Sequence, residues 1–195
     1  HTGAYTSPHL QRYNERVRLN GEDISDDALV KAFEAVEAAR GNVSLTYFEF
    51  GTLAAFVAFA DAGLDDWILE VGLGGRLDAV NVLDADLAIL TSVDIDHVAF
   101  LGNNREVIGF EKAGVLRPGI PAVYADADPP RSVLQQAAAQ KVQMAMFGRD
   151  YELLPEIRAV SGFPKVVLNY QNQPIRLPAG PLPVKSVAAA VVAVR

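Results

Sequence analysis

The sequence contains no cysteine. That excludes a disulfide framework, a thiolate metal centre and a cysteine nucleophile. It is also short of basic residues, with 17 Lys and Arg against 24 Asp and Glu and a net charge of -7. A general nucleic-acid binder needs a basic surface, so no nucleic-acid partner is expected. No apolar run approaches the ~18 residues of a spanning helix, so no membrane is expected. The phosphate-cradling pattern GxxxxGK[ST] occurs nowhere, and GLGG at 72–75 lacks the third glycine of a dinucleotide fingerprint. Internal repeats and low-complexity segments are missing as well.

What is present is a chain of 195 residues, half of them hydrophobic, which suffices for a sizeable core. Strand-like and helix-like stretches alternate up to about residue 147. This predicts an α/β fold with a mainly parallel sheet flanked by helices. Ser25 caps a predicted helix that ends at Arg40-Gly41, and a second runs from Ser44 to Gly63. Past Gly148 the texture changes. Pro164–Tyr170 and Gln173–Leu177 alternate around Gln171-Asn172, which predicts a small antiparallel hairpin, with an earlier strand possible at Ile157–Val160. Prolines 178, 181 and 183 then lead into a helix from Ser186. The expected organisation is a parallel α/β part over 1–147, an antiparallel part over 148–184 and a cut-off helix over 185–195. Both ends read as cuts through a longer protein.

The chemistry concentrates between Asp66 and Lys112. Trp67–Val71 and Leu87–Thr91 read as buried strands that stop at glycine-rich or acidic loops. Ligands collect at the carboxyl ends of parallel strands, and these ends carry Glu70, Asp78, Asp94, Asp96 and His97. Glutamate inside a buried strand end requires a partner or a metal. Its hard oxygens favour magnesium or manganese over zinc. Bland readings compete at each place. Glu49 suits a helix N-terminus, Asp96-His97 suits a surface pair, Glu111-Lys112 suits adjacent surface charges, and Arg12–Leu19 reads as a solvated surface loop ending in a short edge strand.

Five stretches occur in a familiar order and spacing: TSPHL with ERVRLNG, SLTYFEFGTL, ILEVGLGGRLDAVN, TSVDIDHVAFLG and EKAGVLRPG. Over most of residues 2–125 the sequence resembles the bacterial bifunctional dihydrofolate synthase/folylpolyglutamate synthase family, of the Mur ligase superfamily. The resemblance implies a P-loop central domain, here without its phosphate loop and without the family's C-terminal domain. It implies an ATP- and magnesium-dependent ligase that joins L-glutamate to dihydropteroate or a folate through an acyl phosphate. Residue by residue, it implies Glu70 and His97 as magnesium ligands and Lys112 as a carbamylated lysine that also faces metal, giving two magnesium sites. Asp78 would stand near the substrate acid. Ser7, Pro8, His9, Thr46, Tyr47, Phe48 and Glu49 would contact the pterin. A cytoplasmic monomer is expected. Carbamylation makes chemical sense, because it turns an ammonium into an anionic oxygen ligand suited to a hard metal.

The sequence departs from the family pattern at four places. Val80 and Val98 replace threonine, Phe110 replaces an arginine before EKAG, and Lys185-Ser186 falls where some members have asparagine. No proposed metal ligand is lost, although Phe110 removes a charge near Lys112. Two other readings compete: a Mur-type ligase of peptidoglycan precursors, which TYFEFGTL argues against, and a folate-binding module without catalysis.

Overall fold

The computed structural model of the protein describes residues 1–95, 98–155, 166–178 and 180–195. These fall into two compact units, 1–73 with 77–83 and 74–76 with 84–195.

The first unit opens on strand β1 (Thr2–Tyr5), followed by a 3-10 turn (Tyr13–Arg16), β2 (Val17–Leu19) and β3 (Glu22–Asp23). Two helices come next, α1 (Asp26–Arg40) and α2 (Tyr47–Asp61). Strand β4 (Asp66–Leu69) and a second 3-10 turn (Ala79–Val82) complete the unit. The sheet order is β3-β2-β1-β4. Only β1 and β4 run parallel; β1, β2 and β3 form an antiparallel meander. The strict strand–helix alternation expected from the sequence therefore fails at its start. The reason is local: Asn20-Gly21, both at positive φ, turn the chain directly from β2 into β3.

Helix α1 starts where Ser25 Oγ accepts the Ala28 N–H at 3.3 Å, with Asp26 and Asp27 in its positive first turn. Leu29, Ala32 and Val36 face inward. Helix α2 is apolar nearly throughout and sinks Ala54, Ala55 and Phe59 into the core. Gly3 on β1 admits this packing, because a Cβ there would lie 2.7 Å from Leu64 Cδ1 and 2.9 Å from the Phe59 ring. The segment expected to be a solvated loop is not one. Asn14 and Arg16, in the 3-10 turn, are buried, and so is Val17, which opens the interior strand β2 between β1 and β3.

The second unit holds the parallel sheet β5 (Ala88–Leu90), β6 (Pro121–Tyr124) and β7 (Gln143–Met146), in that order. Helices α3 (Val98–Leu101), α4 (Arg105–Ala113) and α5 (Arg131–Ala139) lie between them in sequence. Ile108, Tyr124 and Val133 anchor the core between sheet and helices. Pro130 offers no side-chain cap to α5. Instead the Glu106 carboxylate accepts the N–H groups of Arg131 and Ser132 at 3.1 and 2.8 Å. Beyond β7 stands an antiparallel sheet of β8 (Tyr151–Pro155), β9 (Val166–Tyr170) and β10 (Gln173–Arg176), then α6 (Val184–Ala193). Gln171 and Asn172, at φ 52° and 60°, form the expected tight turn between β9 and β10. The strand considered at Ile157–Val160 lies outside the described residues. The α/β fold, with a parallel sheet flanked by helices and a small antiparallel sheet near the end, is as the sequence predicted, while the first sheet is mixed rather than parallel.

Candidate functional site

In the first unit, the TSPHL loop leaves the carboxyl end of β1 beside the carboxyl end of β4. Strand β4 ends at Leu69, so Glu70 lies one residue past it. Its side chain is exposed rather than buried, because among the described residues β4 is an edge strand. Glu70 N–H donates to the Tyr5 carbonyl at 2.9 Å, and its Oε2 accepts the Ser7 N–H at 2.7 Å. Glu70 and Ser7 are thus brought together, carboxylate to backbone N–H. An exposed carboxylate at a strand end suits a hard divalent cation. Pro8 follows Ser7 through a cis peptide bond.

The loop beyond is shaped by a residue that sequence reading passed over. The Glu15 carboxylate accepts the N–H groups of Leu10, Gln11 and Arg12 at 2.7, 2.8 and 2.7 Å. These backbone donors hold the Glu15 pKa down from its ordinary 4.5 to about 2. The signal was present in the sequence as an acid a few residues behind a proline-containing turn, but many surface loops share it.

Thr46 to Glu49 form the start of α2, and part of their polarity is spent there. Thr46 Oγ1 accepts the Glu49 N–H at 3.2 Å, and Glu49 Oε2 accepts the Thr46 N–H at 2.7 Å. This is a capping box. Those backbone and side-chain donors depress the Glu49 pKa. The rings point two ways. Phe48 lies over Gly72, where a Cβ would come within 2.7 Å of Phe48 Cζ. Tyr47 is 65% exposed and meets the Tyr13 ring edge-on at 5.9 Å between centroids. Tyr13, Phe33, Tyr47 and Phe50 line a cavity of about 430 Å³ that Glu37 and Arg40 border. Asp78 closes the turn after the glycines: Oδ2 accepts the Leu73 N–H at 2.9 Å and Oδ1 the Val80 N–H at 3.0 Å. Both its oxygens are engaged in fixing that loop.

Lys112 belongs to the second unit, half-buried in the last turn of α4. The glycine loop docks on this turn. Arg76 N–H donates to the Glu111 carbonyl at 2.8 Å. A Cβ on Gly75 would lie 2.9 Å from the carbonyl oxygens of both Glu111 and Lys112, so only glycine fits. Arg76 also pairs with the Glu111 carboxylate at 2.9 Å and stands 5.8 Å from the centre of the Phe110 ring. Phe110 thus supports an arginine side chain from another segment. Lys185 pairs with Asp126 at 3.0 Å and lies over Phe147. Asp96 and His97 lie outside the described residues. Among the described residues no group of three His, Asp or Glu side chains is gathered as a metal site. No described helix is long and apolar enough to cross a membrane.

No family model matches the chain. Individual proteins do. It is 44% identical over 196 residues to the dihydrofolate synthase/folylpolyglutamate synthase of Haemophilus influenzae, covering 99% of this chain and 43% of that protein. The Escherichia coli protein of the same name is 51% identical over 135 residues, covering 69% of this chain and 32% of its relative. Among solved structures, Escherichia coli FolC in complex with DHPP and ADP superimposes with a TM-score of 0.90 at 40% identity, over 100% of this chain and 46% of that one. The Yersinia pestis bifunctional enzyme complexed with AMPPNP and Mn ion matches at 0.90 and 42% identity, over 99% and 46%. The chain therefore spans less than half the length of these relatives. With its strands, helices and loops reproduced along almost the whole chain, it belongs to the dihydrofolate synthase/folylpolyglutamate synthase family.

Proposed function

We propose that the protein containing this chain is an ATP-dependent ligase that joins the amine of L-glutamate to a carboxylate of dihydropteroate, of a folate, or of both. The observation that carries this reading is the 44% identity to a named synthase across 99% of the chain. Solved relatives bind ADP with DHPP, and AMPPNP with Mn and L-glutamate, which matches the reactants the reaction needs. The carboxylate takes the γ-phosphoryl group of ATP, and the glutamate amine then displaces phosphate to form the amide.

We assign Glu70 and His97 as magnesium ligands and Lys112, carbamylated, as a further oxygen ligand in a two-magnesium arrangement. The exposed Glu70 carboxylate fits a hard cation. Magnesium supplies charge neutralisation at the phosphate oxygens during transfer. Ser7, Pro8, His9, Thr46, Tyr47, Phe48 and Glu49 are assigned to the pterin-bearing substrate. Asp78 is assigned to the region of the substrate acid, where its grip on Leu73 and Val80 holds the turn in shape. The protein is assigned to the cytoplasm as a monomer.

The test is an assay of the intact protein with dihydropteroate and with tetrahydrofolate, each with ATP, magnesium and glutamate. Glutamate addition is expected with at least one acid. Glu70→Ala and His97→Ala are each expected to lower turnover by at least about a hundredfold with the fold retained. Near-normal turnover in either variant refutes its assignment. A mass gain on Lys112 equal to bound carbon dioxide checks the carbamate.

A further inference from the structure

Arg16 is a charged side chain that is 92% buried, being 8% exposed. A buried guanidinium is costly unless its charge and donors are met. Among the described residues no carboxylate lies within ion-pair distance of it. Its charge is met instead by two aromatic faces. Arg16 Cζ stands 5.4 Å from the centre of the Tyr13 ring and 5.7 Å from that of Tyr47, both within cation–π range. Its Nε–H donates to His9 Nδ1 at 2.8 Å.

That last bond constrains His9. Arginine has no acceptor, so the imidazole nitrogen facing it carries a lone pair and no proton. With Nδ1 accepting, the ring is neutral and its proton resides on Nε2. The Tyr13 ring, 5.6 Å away between centroids, flanks the imidazole, and His9 remains only half-buried. The ring is therefore oriented from behind by a buried cation.

We propose that Arg16 is a positioning residue that locks His9 as the neutral Nε2–H tautomer, and that this N–H donates to a carboxylate oxygen of the acid substrate. The second half rests on the ligase reading above. The first does not. A neutral donor backed by a fixed positive charge recognises an anionic oxygen without the desolvation of an exposed ammonium. Arg16 itself, shut behind the ring, does not need to touch the substrate.

A proton–nitrogen NMR correlation spectrum of the histidine rings tests the lock without any assay. The chain has three histidines, and His9→Gln identifies the His9 signal by removing it. The expected pattern is an unprotonated Nδ1 and a protonated Nε2, replaced in Arg16→Met by an average of the two tautomers. A protonated Nδ1, or averaging in the unsubstituted protein, overturns the lock. For the intact protein, Arg16→Met is expected to lower kcat/KM for the acid substrate about tenfold, the size of one charge-assisted hydrogen bond, with KM for ATP and glutamate within about twofold. No loss, or a loss carried by ATP or glutamate, overturns the donor role. If Arg16→Met does not fold, His9→Gln and His9→Leu decide: both lower kcat/KM for the acid substrate, Leu at least about tenfold more than Gln because it has no N–H to donate, and equal losses overturn the role. An inactive unsubstituted protein, by contrast, defeats the ligase reading and leaves the tautomer result standing.

Discussion

Glu15 shows how one carboxylate can hold the shape of a loop. Its oxygens gather three consecutive N–H groups from Leu10, Gln11 and Arg12, just after the residues assigned to the substrate. Because its pKa is about 2 in the fold and about 4.5 when released, its contribution is fully present above pH 4.5. That contribution is lost as pH falls from 4.5 towards 2. Glu15→Gln is expected to lower the melting temperature at neutral pH and to flatten its dependence on pH over that interval. Thermal melts of both proteins across the acid range check this; parallel curves would falsify the assignment. Arg16 differs from Glu15 in legibility. Nothing in the run RYNERVRLN separates its second arginine from the first and third. Yet Arg12 and Arg18 form exposed ion pairs with Asp26 and Asp23, whereas Arg16 is enclosed by rings. Its burial was decided by the rings of Tyr13 and, from α2, Tyr47 standing over it, which is a tertiary event.

Among the elements, α2 is where capping uses the side chains that are also proposed to meet the substrate. Thr46 and Glu49 satisfy the first turn of the helix reciprocally. Thr46→Ala is expected to destabilise the first unit by about 1 kcal/mol, measured as a shift in urea midpoint with unchanged slope. A ligand that recruits either side chain must compete with that box. The helices were legible because their caps are local: Ser25 with Asp26 and Asp27, Gly41, and Asn104 before Arg105 all act within one turn. Strands β3 and β8 were not legible. β3 is only two charged residues, held by pairing with β2, and β8 gains its identity from its partner β9. The metal roles proposed for Glu70, His97 and Lys112 rest on the family resemblance. The exposure of Glu70 was not legible, because it depends on where an apolar run stops being a strand and on which neighbours that strand has.

Across the whole molecule, three separate groups of buried side chains among the described residues sustain the units. Tyr5, Val17 and Phe59 centre that of the first unit, Ile108, Tyr124 and Val133 that of the parallel sheet in the second, and Tyr151, Leu168 and Ala188 that of the antiparallel sheet and α6. Phe59 is fully buried and meets Trp67 edge-on at 5.4 Å. Phe59→Ala is expected to cost about 3–5 kcal/mol. Its effect should be confined to the first unit, with faster amide exchange in β1, α2 and β4 and little change in β6. Equal acceleration in β6 would mean that the two units open as one cooperative block.

Residues 74–76 carry a further consequence. They belong with the second unit, while the residues on either side of them belong with the first. The backbone thus passes from one unit to the other, returns, and passes again near residue 84. Such a lacing has no single point at which it can be cut. A polypeptide ending at residue 83 would take Gly75 and Arg76 away from the helix turn that bears Lys112. One beginning at residue 84 would present that turn bare. Neither unit is therefore a single continuous stretch of chain, and exchange of parts between homologues should succeed only where residues 74–76 are carried over together with the turn at Glu111 and Lys112.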